Sequence, residues 1–360
     1  MLDYIIVGAG LSGIAVSEKL IDSGKNIRVF ENNSQSSSTV AGGIYNPVIL
    51  KRFTLAWEAD EQLKTAIPFY HSLEEKLKIS IIREMPIYRK FHSVEEQNNW
   101  FEAMDKPSVA AFLSPNLLSE LNPNIPSDFS FGMVKDTGVI NTELLLKAYR
   151  KYLKDLGVFI SEDFQYDMLQ LKNGQFNYKG FQAKRIIFCD GFGMTRNPFF
   201  NNLPLNGNKG EYLIIKSEVL KLDVAVKSSV FILPLGNDLY KVGATYNNKD
   251  KTSVPTAEAK EYLLEKLHAL ITCGFEMVGQ VAGIRPATAD RKPLVGEHSE
   301  YKGMFCCNGF GSRGVLIAPT VARKLIDSIE NETAIPKDID IRRFVKKESK
   351  NLGASPRGMN

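Results

Sequence analysis

The stretch Tyr4-Ile5-Ile6-Val7-Gly8-Ala9-Gly10-Leu11-Ser12-Gly13, followed downstream by Arg28-Val29-Phe30-Glu31, decides the reading of this chain. Strand, glycine turn, helix, strand and acid arrive in that order, which is the layout of a dinucleotide-binding βαβ unit. Gly8 permits the sharp turn off the first strand. Gly10 has no Cβ, so backbone can approach a pyrophosphate, and Gly13 lets the helix pack closely on the strand. The helix opening at Leu11 and Ser12 points unpaired N–H groups and a positive dipole end at the phosphates. Glu31 ends the second strand, where a carboxylate accepts ribose hydroxyls and repels a 2′-phosphate, which argues against NADP.

Composition sets the outer limits. A length of 360 residues suggests about two domains, and 44% hydrophobic with 24% charged residues is ordinary for a globular protein. A net charge of +4 neither requires nor excludes an acidic partner. The four cysteines, Cys189, Cys273, Cys306 and Cys307, form no Cys-x-x-Cys, and the four histidines are scattered. A disulfide framework and a metal site are therefore not expected. The amino terminus enters a strand at once and no uncharged apolar run approaches the ~20 residues that span a bilayer. The expectation is a soluble cytoplasmic protein with no membrane partner.

Outward from the first unit, the polar run Asn32–Thr39 leads into Val40-Ala41-Gly42-Gly43-Ile44-Tyr45-Asn46-Pro47. Paired glycines after such a loop suggest backbone passing close to something flat or bulky. Residues 55–80 have helical spacing, with Pro68 expected to kink or divide them. Thr142–Leu156 reads as a helix capped by Asn141 and ended by Gly157. Ile186–Gly193 is a buried strand running into a glycine turn, and the segment from Gly210 to Tyr246 is β-rich. Met304–Cys307 is a strand, and Gly309-Phe310-Gly311-Ser312-Arg313-Gly314 opens the apolar helix Val315–Ile329. The nucleotide-type elements sit at both ends and in the middle. The expected architecture is α/β: a discontinuous Rossmann-like domain from 1–80, 136–205 and 280–335, and a β-rich substrate domain from 81–135 and 206–279. A basic carboxy-terminal tail, 336–360, follows with Arg342, Arg343, Lys346, Lys347, Lys350 and Arg357.

Taken together, Gly8-x-Gly10-x-x-Gly13, Glu31, Ser38-Thr39…Gly42-Gly43, Asp190-Gly191-Phe192-Gly193, Gly283-Ile284-Arg285-Pro286…Asp290…Pro293…Gly296 and Gly309…Gly314 resemble the FAD-dependent D-amino-acid oxidase family, which includes glycine and sarcosine oxidases. The resemblance runs over about residues 3–330. Within the family, Gly283–Asp290, Gly309–Gly314, Gly43–Pro47 and Thr137–Leu144 are similar to the FAD domain of the bifunctional enzyme that removes a carboxymethyl group from the tRNA wobble uridine. That enzyme's methyltransferase half is absent here.

The resemblance implies non-covalent FAD, since no cysteine lies in Arg285–Asp290, where covalent relatives attach it. It implies cofactor contacts from Gly8, Gly10, Leu11, Ser12, Gly13, Glu31, Ser38, Thr39, Gly42, Gly43, Ile44, Gly191, Gly309, Gly311, Ser312, Arg313 and Gly314. Arg285, stiffened by Pro286, is the expected fork for a substrate carboxylate; the plainer alternative is a structural arginine paired with Asp290. Arg313 adds positive charge beside the flavin or faces substrate. Tyr45, Tyr212, Phe231 and Tyr246 are candidate pocket aromatics, with Tyr212 and Tyr246 set beside the two arginines as site residues. The implied reaction oxidises a C–N bond of an amino acid or N-substituted glycine by hydride transfer to flavin N5, followed by imine hydrolysis. Removal of the carboxymethyl group of carboxymethylaminomethyluridine in tRNA is the second choice. A flavin-binding assembly or interaction protein without turnover is the third.

Overall fold

The computed structural model of the chain describes residues 1–34 and 37–344. Lys346, Lys347, Lys350 and Arg357 of the expected basic tail lie outside the described residues. Arg342 and Arg343 lie inside them, in a short 3-10 turn, Ile341–Phe344.

The strand Leu2–Val7 is apolar on both faces because it lies in the middle of a sheet with both faces covered. It pairs in parallel with Ile27–Phe30 on one side and Phe181–Phe188 on the other. Met304–Asn308 pairs in parallel with Phe181–Phe188 in turn. Register aligns Val7 with Phe30 and with Phe188, and Phe188 with Cys306. Four parallel strands therefore end at one edge, and the residues that follow them (Gly8, Glu31, Cys189-Asp190 and Gly309) meet there. That edge is where open α/β sheets bind ligands.

Helices cover one face of this sheet. Leu11–Asp22, Ala59–Leu77, Thr142–Asp155 and Gly314–Asn331 share a core of Ile14, Leu20, Tyr70, Leu73, Leu145, Tyr149, Val321 and Leu325 with the strands. Asn141 caps the third of these helices by accepting from the Leu144 N–H at 3.0 Å. Of the expected kink or division at Pro68, the division does not occur: Ala59–Leu77 is one helix through it. Pro68 is exposed while Ala66, Tyr70 and Leu73 are buried, so its missing N–H costs a hydrogen bond only on the wet side. Phe164, Phe176, Tyr178, Phe188 and Phe200 fill the other face.

A second, mostly antiparallel sheet of eight strands stands beside the first, in the order Glu276–Arg285, Asn208–Lys216, Leu239–Gly243, Phe231–Gly236, Ala225–Lys227, Ile87–Lys90, Phe131–Val134 and Leu113–Leu118. Its back face, with Leu213, Ile215, Tyr240 and Val242, packs on Leu263 and Leu267 of the helix Ala257–His268. Strand alternation then turns Asn208, Gly210, Tyr212, Lys241, Gly243 and Phe231 to the opposite face, the one toward the first sheet's ligand edge.

Candidate active site

Between the ligand edge of the first sheet and the front face of the second lies a cavity of about 1670 Å³. This is larger than the usual small-molecule pocket and suits a dinucleotide together with a substrate.

The first glycine turn has the geometry its sequence requires. Gly8 has φ +101, and a Cβ there would lie 2.4 Å from the Cys189 carbonyl oxygen. A Cβ at Gly13 would lie 1.9 Å from the Gly8 oxygen, so only glycine lets the helix sit against the turn. Gly10, Leu11 and Ser12 line the cavity, whereas Gly13 stands behind the turn. The Gly10 and Ser12 N–H groups have no hydrogen-bond partner among the described residues, and Ser12 Oγ donates to Cys307 O at 2.6 Å. Glu31 is buried; it accepts from the N–H groups of Ala9 at 2.5 Å and Asn33 at 2.7 Å, with the Arg150 guanidinium 3.5 Å away. The acid thereby shapes the turn as well as facing the ligand space.

Ser38, Gly42, Gly43 and Ile44 line the cavity and Thr39 does not. Gly43 has φ +67, and a Cβ there would meet the Ile140 oxygen at 1.9 Å, which fixes the loop against the strand Gly138–Ile140. Gly191 and Gly311 have φ +55 and +57 with open space where a Cβ would stand. Asp190, beside Gly191, accepts from Asn197, Tyr166 and Asn308, yet burial pushes its carboxyl up to about 6.

Gly309, Gly311, Ser312, Arg313 and Gly314 all line the cavity. The helix Gly314–Asn331 opens onto it, and the N–H groups of Ser312, Gly314 and Val315 have no partner among the described residues. Two helix N-termini therefore face one cavity, one at the Gly8 turn and one here. Free amides at both ends, backbone glycines without Cβ atoms and a buried acid fit an extended, anionic dinucleotide.

Arg285 ends its strand opposite Asn208 and donates to Asn208 Oδ1 at 2.6 Å and Thr245 O at 3.3 Å. Its guanidinium rests over Gly210, where a Cβ would fall 2.0 Å from Nη2. The alternative partner Asp290 is taken by Arg343 at 2.9 Å, and Arg285 has no carboxylate partner among the described residues. Arg313 likewise pairs with no acid; it donates to Asn46 O at 2.5 Å, and burial pushes it down to about 10.

The aromatic candidates separate. Tyr212 and Phe231 line the cavity on either side of Gly243. Tyr246 sits at the rim and is 69% exposed. Tyr45 does not line the cavity: it is buried in the main core, with its hydroxyl packed on Gly138, whose Cβ would lie 2.3 Å from it.

Two lysines escaped the sequence reading. Lys241 lines the cavity 5.5 Å from the Tyr212 ring centroid and donates to Val40 O and Ala41 O; burial holds its ammonium below the usual lysine range. Lys227 lies 5.0 Å from the Phe231 ring, and burial, reinforced by Arg89, pushes it down to about 8. The only signal in the sequence was strand alternation. Lys241 falls between the buried Tyr240 and Val242, and nothing local says that its face meets a cavity rather than water.

The chain matches the family described as DAO, FAD dependent oxidoreductase, over residues 3–328. It is 23% identical to glycine oxidase of Bacillus subtilis (strain 168), over 92% of this chain and 93% of that protein. It is also 23% identical to the tRNA 5-methylaminomethyl-2-thiouridine biosynthesis bifunctional protein MnmC of Burkholderia pseudomallei (strain 668), over 92% of this chain but 56% of that protein. The crystal structure of glycine oxidase from Bacillus cereus ATCC 14579 superimposes with a TM-score of 0.78 at 21% identity, covering 93% of this chain and 96% of the other. The match over residues 3–328 and a cavity built to take a dinucleotide lead to one assignment: the chain belongs to the DAO family of FAD-dependent oxidoreductases.

Proposed function

We propose that this protein oxidises a C–N bond of a small amino acid or N-substituted glycine, with non-covalently held FAD as the acceptor. The observation that carries this reading is Arg285: a guanidinium fixed by Asn208 and Thr245, unpaired with any acid among the described residues, inside the cavity that the two helix N-termini enter. Such a group forms a bidentate pair with a carboxylate and orients the molecule that bears it. Held along the Gly8 and Gly309 turns, FAD would supply hydride-acceptor chemistry toward the substrate C–H, and water would release the oxidised substrate as carbonyl and amine.

The residues of the chain supply position and field. Arg285 holds the carboxylate, while Tyr212 and Phe231 give apolar walls beside it. The free amides of Ser312, Gly314 and Val315, at the positive end of their helix, would favour negative charge on a bound flavin, and Arg313 would add to that field. No residue is required as a general base if the amine is bound neutral.

The likeness to MnmC favours one second reading, removal of the carboxymethyl group from carboxymethylaminomethyluridine in tRNA. Anaerobic titration of the FAD-loaded protein separates the two. Bleaching by glycine, sarcosine, D-alanine or L-proline supports the small-substrate reading, and bleaching by the modified tRNA alone supports the second. A protein that holds FAD and is bleached by no amine acid would favour the interaction role instead.

A further inference from the structure

The acids that line the cavity are Glu31, Glu162, Asp163, Asp167 and Asp190, and all of them belong to the first sheet's side. The face of the second sheet that lines the cavity carries Arg285, Lys241 and Lys227 and, among the described residues, no carboxylate. One arginine suffices for one carboxylate. The two lysines are half-buried, hold only backbone carbonyls and form no ion pair among the described residues, and drawing an unpaired ammonium out of water is costly.

Lys241 is the informative member. Its strand neighbours Tyr240 and Val242 face the apolar back core, so register commits Lys241 to the front face. Two of its three N–H donors go to Val40 O at 3.2 Å and Ala41 O at 3.1 Å. The third is left for the cavity. The Arg285 guanidinium rests over Gly210, and the Lys241 ammonium stands by Tyr212, the next residue on that face of the same strand. Gly210 and Tyr212 themselves stand about 7 Å apart along the strand, so the two cations flank neighbouring positions of one cavity wall. A small molecule with two acidic groups can meet both cations there, with the Tyr212 ring as its wall. Glu143 acts on Lys241 only through its field, and no ion pair neutralises it among the described residues.

We propose that Lys241 is a second anion-binding residue of the substrate pocket and that the preferred substrate is an amine with two acidic groups, one held by Arg285 and the other by Lys241. This rests on the oxidoreductase reading above and narrows its substrate class. Lys227, farther along the same face, extends the positive surface and draws anions toward the pocket.

The test is anaerobic flavin reduction by the FAD-loaded protein, comparing glycine and sarcosine with iminodiacetate, aspartate and glutamate of both hands. At least one diacid should reduce the flavin with an efficiency tenfold or more above its mono-acid counterpart. Lys241→Gln keeps a donor for the Val40 and Ala41 carbonyls and removes the charge; it should collapse that ratio toward one. Lys241→Arg should restore most of it, with FAD content measured by absorbance in each variant. Reduction by mono-acids without diacid preference overturns the inference and leaves the oxidoreductase reading standing. An equal loss on both substrate types in Lys241→Gln, or a loss confined to flavin reoxidation, also overturns it. No reduction by any amine acid overturns both.

Discussion

Arg285 and Asn208 face each other across two antiparallel strands and are joined by a 2.6 Å hydrogen bond from the guanidinium to Oδ1. Asn208, itself buried, thereby holds the arginine over Gly210 without neutralising it. A carboxylate in its place would have satisfied the charge and closed the site to an anion.

Removing that guanidinium should separate binding from cofactor retention. Arg285→Leu is expected to keep FAD and lose about a hundredfold or more in kcat/KM, since a charge-assisted bidentate pair contributes on the order of 3 kcal/mol. Arg285→Lys recovers only part of this, because a point charge cannot reproduce the fork. Steady-state kinetics with the absorbance ratio of flavin to protein give both readouts, and unchanged kinetics in Arg285→Leu would remove the role assigned to it.

Glu31 accepts from the Ala9 N–H at 2.5 Å and lines the cavity, so under the proposed function it would support FAD both directly and through the turn. Glu31→Ala should weaken FAD binding by about tenfold to a hundredfold, corresponding to roughly 1.5–3 kcal/mol for hydrogen bonds to a charged group. Fluorescence titration of the apoprotein with FAD measures it directly.

Buried Asp190 makes a distinctive pH signature. Its carboxyl is raised from the ordinary 3.8 to about 6, so between these values the native protein binds more protons than the unfolded chain. The stability it contributes is fully present below 3.8 and is lost as pH rises through about 6, an effect on the order of 3 kcal/mol. Asp190→Asn should flatten this fall across pH 4–6 in thermal denaturation curves; an unaltered slope would show that another group carries it.

Lys209 is fully buried and is held 2.5 Å from Asp250 and 3.4 Å from Glu211, tying the 247–256 segment to the back of the substrate sheet. Lys209→Met leaves Glu211 buried without its cation and should destabilise the fold by about 3 kcal/mol. Proteolysis within 247–256 should become faster as well. Denaturant unfolding and limited digestion are the checks, and a variant as stable as the parent would contradict the role given to this lysine.

What could be read in the sequence was what depends on local backbone. Gly8 and Gly13 are required by a left-handed φ and by a 1.9 Å approach within a few residues, so the motif carries its own geometry. The Asn141 cap is equally local. What depends on register was not readable. Lys241 looks like any solvent-facing lysine of an alternating strand until the second sheet is laid beside the first. Family register makes Tyr45 a pocket candidate, but its packing on Gly138, on a strand far along the chain, is invisible to that register. Pro68 looked like a helix break because the helix's wet side could not be identified before its packing partner was known.

Under the proposed function this cavity binds FAD and passes it the electrons of an amine acid. The most direct measurement is the absorbance spectrum of the purified protein, followed anaerobically during titration with glycine, sarcosine, D-alanine, L-proline and their diacid analogues. The expected result is a flavin spectrum that bleaches with at least one of these and loses that response in Arg285→Leu. A protein that takes up no FAD, or a flavin spectrum that no amine acid changes, would contradict it.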